Sequence, residues 1–279
     1  AIVGAGMAGL AAAHQLRQQR PDISITMCEK SRGVGGRVAT RRFNGATFDH
    51  GAQYIKAPTP ALEAILHALP HDTLVDITRP VWTFDGAGTL AAGDPAQHEA
   101  HKWTYRDGIT RLAKELARGL DIRFETRISR LSSTNAGYEL FDEHGTSLPH
   151  ADAVLLTAPA PQLCTLLEAS ELSRPDRDLL RAELAKASYR PCLTLTLGYP
   201  PRLRDRRFYA LVNTDKHHPI SWLAYEHFKP GRAMGNQHVL IAQMAPGWSS
   251  AHWDDPLESV TAQVTRLVQT LLDDDLPQP

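Results

Sequence analysis

The stretch AIVGAGMAGLAAA, residues 1–13, decides how the rest of the chain is read. Its glycines Gly4, Gly6 and Gly9 stand at G-x-G-x-x-G spacing after a short apolar run. Ala1 to Val3 reads as the end of a buried strand, and Met7 to Gln19 as a helix. Ala11, Ala12 and Ala13 favour helix, and Leu10, Ala13 and Leu16 fall at helical spacing, facing a sheet. In such a unit Gly4 permits the tight turn, and Gly6 lets a pyrophosphate approach the backbone. Gly9 lets the helix pack close to the strand. The helix N-terminus at Met7 and Ala8 offers free N–H groups and a positive dipole end to phosphates.

Taken alone, the glycines also fit an ordinary glycine-rich turn. The segment ISITMCEK (residues 23–30) alternates and ends with Glu29, twenty residues after Gly9, where a carboxylate can accept from a ribose 2′-OH. Strand, glycine turn, helix, strand and acid within about 30 residues point to a dinucleotide site. Glu29 would repel a 2′-phosphate, which disfavours NADP there. Lys30 and Arg32 carry the opposite charge but read as solvated loop residues. The helix end supplies at most about 2 kcal/mol, whereas nanomolar binding needs about 12 kcal/mol. Most of the affinity must come from contacts further along the chain.

Composition bounds the rest. The 279 residues suffice for two modest domains; 42% are apolar, 22% charged, and the net charge is −1. That balance argues against nucleic acid or an anionic membrane surface as the main partner. No apolar run reaches about 18 residues, the length that would span a bilayer, and no signal-peptide pattern is visible. Cys28, Cys164 and Cys192 are scattered and odd in number. They fit a reduced, cytoplasmic setting and neither a disulfide framework nor a zinc site. Only three residues precede Gly4, whereas a strand commonly has about five, so further residues are expected before Ala1.

The additional contacts come at KSRGVGGRVATRR (residues 30–42) and FDHGAQY (residues 48–54). Gly35, Gly36 and Arg37 make a second glycine turn followed by a fixed cation. Asp49, Gly51, Ala52, Gln53 and Tyr54 follow on a short strand and turn. These motifs resemble flavin-binding members of the amine-oxidase superfamily. Together with TAPAPQ (157–162), WLAYEHFKPGR (222–232) and QMAPGWSSAHW (243–253), they look like bacterial renalase-like FAD oxidoreductases. The resemblance runs across nearly the whole chain. It implies non-covalent FAD, with Gly4, Gly6 and Gly9 at the pyrophosphate, Glu29 at the adenosine ribose and Arg37 at the phosphates, and with Lys30 and Gly36 among the cofactor-binding residues. It further implies Gly51, Ala52, Gln53 and Tyr54 against the isoalloxazine, and backbone near Ile128 at the adenine. Such chains continue with another strand, a Gly-Asp motif and a closing helix, which are expected after DDDLPQP.

The expected fold class is α/β: a Rossmann-like FAD-binding domain, its mixed or parallel sheet carrying a three-stranded meander, plus an α+β substrate domain with an antiparallel sheet. Residues 1–56 with 107–159 form the first, residues 57–106 with 160–255 the second, and 256–279 a helix leading to the further FAD-domain segment. PTPALEAILHALP (58–70) reads as a helix, 81–105 as short strands and loops, and DGITRLAKELARGL (107–120) as a helix. DIRFETRISRL, GYELFDEHG and ADAVLLTAP supply the meander and a last parallel strand. Helices are expected near Pro161 to Glu168 and Pro175 to Ala187. CLTLTLGY, FYALV, ISWLAY and HVLIAQM read as strands. The clearest helix has Pro256 in its first turn, capped by Asp254 or Asp255, with Leu257, Val260, Val264, Leu267 and Leu271 as its stripe.

No metal signature stands out, since adjacent His217 and His218 point apart on a strand. His50 is either a flavin attachment point or a structural residue. Ser249 and Ser250 near His252 lack the G-x-S-x-G elbow of a hydrolase. Trp82 with Trp103, or Trp222 with Trp248, either wall a flat substrate pocket or belong to the core. No general base is evident and no catalytic residue is assigned. That suits hydride transfer from a dihydronicotinamide ring, in which stacking within about 3–3.5 Å in a dry slot is the main task. The reading is therefore a renalase-like FAD oxidoreductase that oxidises misreduced 2- or 6-dihydro-NAD(P) isomers, with dioxygen as acceptor. An amine oxidase on the same fold and a non-catalytic dinucleotide-binding module are the alternatives.

Overall fold

The computed structural model describes residues 1–279 apart from Ala57, Pro58, His71, Arg202, Gln278 and the side chain of Gln97. The boundary placed by sequence at residue 57, and Pro58 at the head of the helix that follows, lie outside the described residues. The chain divides into two compact units, Ala1–Val38 with Leu112–Tyr189 and Ala39–Arg111 with Arg190–Pro279.

Among the described residues, the first unit is built on a four-stranded parallel sheet. Its order is Leu155–Leu156, Ile2–Val3, Thr26–Cys28 and Asp121–Arg123. The first helix runs Met7–Gln19, as its sequence suggests, and buries Gly9, Leu10 and Ala13. Strands Ile128–Thr134 and Gly137–Asp142 pair antiparallel. Leu131 and Leu140 from this hairpin share a core with Val3, Cys28, Leu163 and Leu166. The meander differs from expectation. Asp121–Arg123 joins the parallel sheet instead, and the third meander strand is reduced to the bridges Phe141–Ser147 and Tyr138–Ala151. Pro149 lies between those bridges and has no N–H to continue a ladder. Helices Ala160–Glu168 and Arg174–Leu184 follow.

Among the described residues, the second unit is organised by a six-stranded sheet. Its order is Thr194–Tyr199, His238–Met244, Ile220–Tyr225, Ala210–Asn213, Val81–Phe84, Leu90–Ala91. All its pairs are antiparallel except Ala210–Asn213 beside Val81–Phe84. Leu195 and Leu197 are buried while Thr196 is exposed, the alternation of a half-buried strand. A short helix, Pro95–Glu99, appears where strands and loops were expected; Asp94 starts it by accepting from the Ala96 N–H at 3.0 Å.

Helix Leu257–Leu272 lays Val260, Val264, Val268 and Leu271 against Leu195, Leu223 and Leu240. Two expectations for this helix are corrected. Leu257 is 77% exposed, and Val268 joins the stripe beside Leu267, which is partly buried against the same core. Spacing alone permits either stripe; the sheet buries Val268 more deeply than Leu267. Neither Asp254 nor Asp255 caps the helix, because Pro256 occupies the cap position and the Asp255 carboxylate meets His252 Nδ1 at 2.7 Å.

At one end of this sheet His227 stacks on His238, with ring centres 4.0 Å apart. Burial, reinforced by His238 and Arg79, pushes His227 down to about 4. Between the ordinary value of 6.5 and about 4, the unfolded chain takes up a proton that the folded chain refuses. Stability is therefore expected to fall as pH is lowered through that window. His227→Gln should flatten the fall, as read from urea midpoints across the range.

Candidate functional site

A cavity of about 630 Å³ in the first unit is built around the opening glycine turn. Strand Ile2–Val3 ends at Gly4, whose φ of +106° suits glycine. The Thr157 hydroxyl, 2.9 Å from the Val3 carbonyl and 3.1 Å from that of Gly4, closes over the turn. A Cβ on Gly4 would lie 2.8 Å from that hydroxyl oxygen, and one on Gly9 would run into the Gly4 carbonyl oxygen. Both glycines are required by packing within the protein.

Gly6 is different. Its φ is −73°, open to any residue, and a Cβ there would meet nothing within 4 Å. The space it leaves lies over the start of the first helix, which Gly6 caps without a side chain. Met7 and Ala8 line the cavity, and N–H groups in the first turn of a helix have no intrahelical acceptor. An anion is what such a place accommodates.

Around this cradle the cavity supplies complementary groups. Glu29 is buried, and its two carboxylate oxygens accept from Ala5 N at 2.8 Å and Ser31 N at 2.9 Å. A carboxylate has about four acceptor positions, so Glu29 retains capacity for hydroxyls. Lys30 donates to Gln162 Oε1 at 3.3 Å. Gly35 donates its N–H to the Ala5 carbonyl at 2.9 Å, and Gly36 at φ +57° carries the chain to exposed Arg37. Ile128 lines the same cavity. Gly4, Gly6, Met7, Ala8, Glu29, Lys30, Gly36, Arg37 and Ile128 are thus brought together. Gly9 sits beneath them as packing. Orphan donors, a carboxylate and two cations fit the diphosphate and ribose of a dinucleotide cofactor.

Gly51, Ala52, Gln53 and Tyr54 belong to the second unit, where their turn is tightly held. Gln53 Nε2 donates to the Asp49 carbonyl at 2.7 Å and to that of Gly51 at 3.2 Å. Gln243 Nε2 donates to the Gly51 carbonyl at 2.8 Å. Under the turn lies a feature that sequence reading missed, the fully buried quartet Asp49, Glu226, Lys229 and Arg232. Lys229 Nζ is 2.8 Å from both Asp49 Oδ2 and Glu226 Oε2, and Arg232 Nη2 is 2.7 Å from Asp49 Oδ2. Burial alone would raise Asp49, but Lys229 and Arg232 offset it and hold the carboxyl below its ordinary range. Burial raises Glu226 despite the pull of the same two cations.

The other candidates have the following surroundings. Trp82 packs on Phe208, Trp103 on His101, Trp222 beside Tyr54 and Tyr209, and Trp248 on His252. His50 is half-buried, His218 accepts from Ile220 N, and buried Ser249 accepts from Leu193 N. All three cysteines are free. Among the described residues no cluster could hold a metal ion, and no helix is long and apolar enough to cross a membrane.

Residues 2–69 match the model of an NAD(P)-binding Rossmann-like domain, and residues 84–279 that of the flavin containing amine oxidoreductases. The chain belongs to the flavin containing amine oxidoreductase family. By class it is a flavin-dependent oxidoreductase. A 53-residue stretch is 40% identical to coproporphyrinogen III oxidase of Staphylococcus aureus (strain NCTC 8325 / PS 47), spanning 19% of this chain and 11% of that protein. A candidate protoporphyrinogen oxidase from Exiguobacterium sp. 255-15 shares the fold at TM-score 0.77 and 19% identity, covering 99% of this chain and 83% of that one. Putrescine oxidase bound to putrescine does so at TM-score 0.72 and 14% identity, covering 97% and 80%. At these identities the two structures speak to fold alone.

The glycine geometry separates packing from binding in this flavin-dependent oxidoreductase. Gly6→Val is expected to leave the urea midpoint of the flavin-free protein nearly unchanged while abolishing flavin retention on purification. Gly9→Val is expected to cost about 1–3 kcal/mol or more in the same unfolding measurement, because overpacking forces the backbone to shift.

Proposed function

We propose that the protein is an FAD-dependent, renalase-like oxidoreductase that oxidises misreduced dihydronicotinamide isomers, 2- or 6-dihydro-NAD(P), with dioxygen as final acceptor. In this reading the first unit holds the adenosine diphosphate of FAD non-covalently and the second receives the substrate. Gly4, Gly6, Met7 and Ala8 take the pyrophosphate at the helix N-terminus. Glu29 accepts from the ribose, with Lys30 beside it, and Gly36 and Arg37 meet the phosphates from the rim. The Ile128 backbone serves the adenine. The turn from Gly51 to Tyr54 lines the flavin ring.

The observation that carries the substrate choice is the row of side chains beside that turn. Thr194, Gln243, Trp222, Val212 and Thr83 stand opposite one another across five strands, so they share one face of the sheet. All five are partly accessible. Gln243 bonds the Gly51 carbonyl and Trp222 lies beside Tyr54, which ties the row to the turn. No acid or base stands among these five. Bound flavin supplies a two-electron acceptor that dioxygen can reoxidise. A dihydronicotinamide needs only to present its hydride, since aromatisation drives the transfer and no proton has to be removed by a side chain. What the residues must do is orient a flat, neutral ring and exclude water. Tyr54 and Trp222, at 6.0 Å between ring centres and 44° between planes, do not form an open parallel pair around a substrate.

Amine oxidation is the second reading, favoured by the family match. The two are separated by anaerobic titration of the purified, flavin-loaded protein. Substoichiometric 2- or 6-dihydro isomers are expected to bleach the visible flavin band within seconds, while a panel of mono- and diamines leaves it unchanged. Bleaching by amines without bleaching by the isomers would reverse the assignment.

A further inference from the structure

We propose that the quartet Asp49, Glu226, Lys229 and Arg232 is a positioning device for the Gly51–Tyr54 turn, and that its charge balance sets the potential this turn presents to the flavin. The second half rests on the reading above, in which the turn lines the flavin ring.

Three of the four charges come from the segment Glu226-His227-Phe228-Lys229-Pro230-Gly231-Arg232, which the proposed binding roles leave unused. All four side chains are 0% exposed, two of each sign. Asp49 is saturated. Its Oδ1 accepts from Thr40 Oγ1 at 2.6 Å, Ile109 N at 3.0 Å and Arg232 Nη1 at 3.3 Å. Its Oδ2 takes Lys229 and Arg232, and its own N–H donates to Glu226 Oε1 at 3.0 Å. With both its carboxylate and its backbone held, Asp49 cannot shift, and the turn begins two residues on.

The hold is passed forward through Gln53. Its amide nitrogen is fixed on the Asp49 and Gly51 carbonyls, and its amide oxygen lies 3.4 Å from the Tyr209 hydroxyl. Lys229 Nζ stands 5.9 Å from the centre of the Tyr209 ring. Stability alone does not account for such an arrangement, because apolar residues of equal volume commonly serve as well as a buried ion set. A saturated carboxylate does fix direction, and two charges of each sign cancel the field that an unbalanced group would impose at low dielectric.

The test uses the flavin-loaded protein in three forms: Glu226→Gln, which leaves one excess positive charge; Lys229→Met, which leaves one excess negative charge; and the double variant, which restores balance. The reduction potential of the bound flavin is expected to rise in the first, fall in the second and return towards wild type in the third. Hydrogen exchange at residues 51–54 is expected to speed up in both single variants. Glu226→Gln against the double variant carries the comparison even where Lys229→Met yields no folded protein. Potentials that shift in the same direction in every variant, or stay at the wild-type value, overturn the charge role. Unchanged exchange at residues 51–54 overturns the positioning role. Exchange can be followed without flavin, so a wild-type protein that takes up no flavin refutes the proposed function while leaving the positioning role to be decided by exchange.

Discussion

The first unit is organised by how closely the first helix approaches the first strand. Gly9 lies over the Gly4 carbonyl at a distance no side chain could occupy. That approach fixes the turn at Gly4, Ala5 and Gly6, and the turn in turn fixes its neighbours. Ala5 gives its N–H to Glu29 and its carbonyl accepts from Gly35, so one residue ties the second strand and the second glycine turn to the first. Thr157, entering after the last parallel strand, spans the Val3 and Gly4 carbonyls. Glu29, Gly35 and Thr157 are placed by reference to this one contact. The cavity is left open because the residue at its centre, Gly6, makes no use of the space.

These relations are legible in sequence where they are local and periodic. The helix Met7–Gln19 declares itself through alanines and apolar spacing, and Glu29 through its distance from Gly9. The strands Ile220–Tyr225 and His238–Met244 are visible as short, largely apolar runs, the mark of strands buried on both faces. Patterns fail where two readings share the same residues. The last helix contains apolar side chains enough for two overlapping stripes, and only the sheet beneath it decides that Val268 is buried and Leu257 is not. The third meander strand reads as a strand because its neighbours do, yet Pro149 removes a donor where the ladder needs one.

The buried quartet was beyond sequence reading for a different reason. Asp49 meets Glu226, Lys229 and Arg232 across 177 to 183 residues of chain. Nothing in local spacing distinguishes those charges from the solvated ones that surround them in sequence, such as Arg41 or Arg42, which the structure leaves exposed. The one available sign was chemical: three charges in seven residues, broken by Pro230 and Gly231, form neither a helix face nor an alternating strand. A short helical turn, Glu226–Phe228, followed by a glycine at positive φ is what turns all three inward.

The two units handle charge in opposite ways, and in the proposed reading the difference follows from what each would hold. A diphosphate arrives hydrated and must also leave. Helix-end N–H groups and rim cations meet it with partial or solvated charge and leave its desolvation incomplete. A redox ring has the contrary need, because its electron affinity responds to any fixed charge nearby and a wandering charge would smear it. Buried ions beside such a ring are tolerable only when paired, saturated and immobile. Asp49, with five donors to its carboxylate and its backbone held by Glu226, meets that condition. The neutral row of Thr194, Gln243 and Trp222 extends the same logic to the sheet. In the proposed reading, a sheet face whose accessible side chains carry no charge suits a neutral dihydronicotinamide ring that brings electrons.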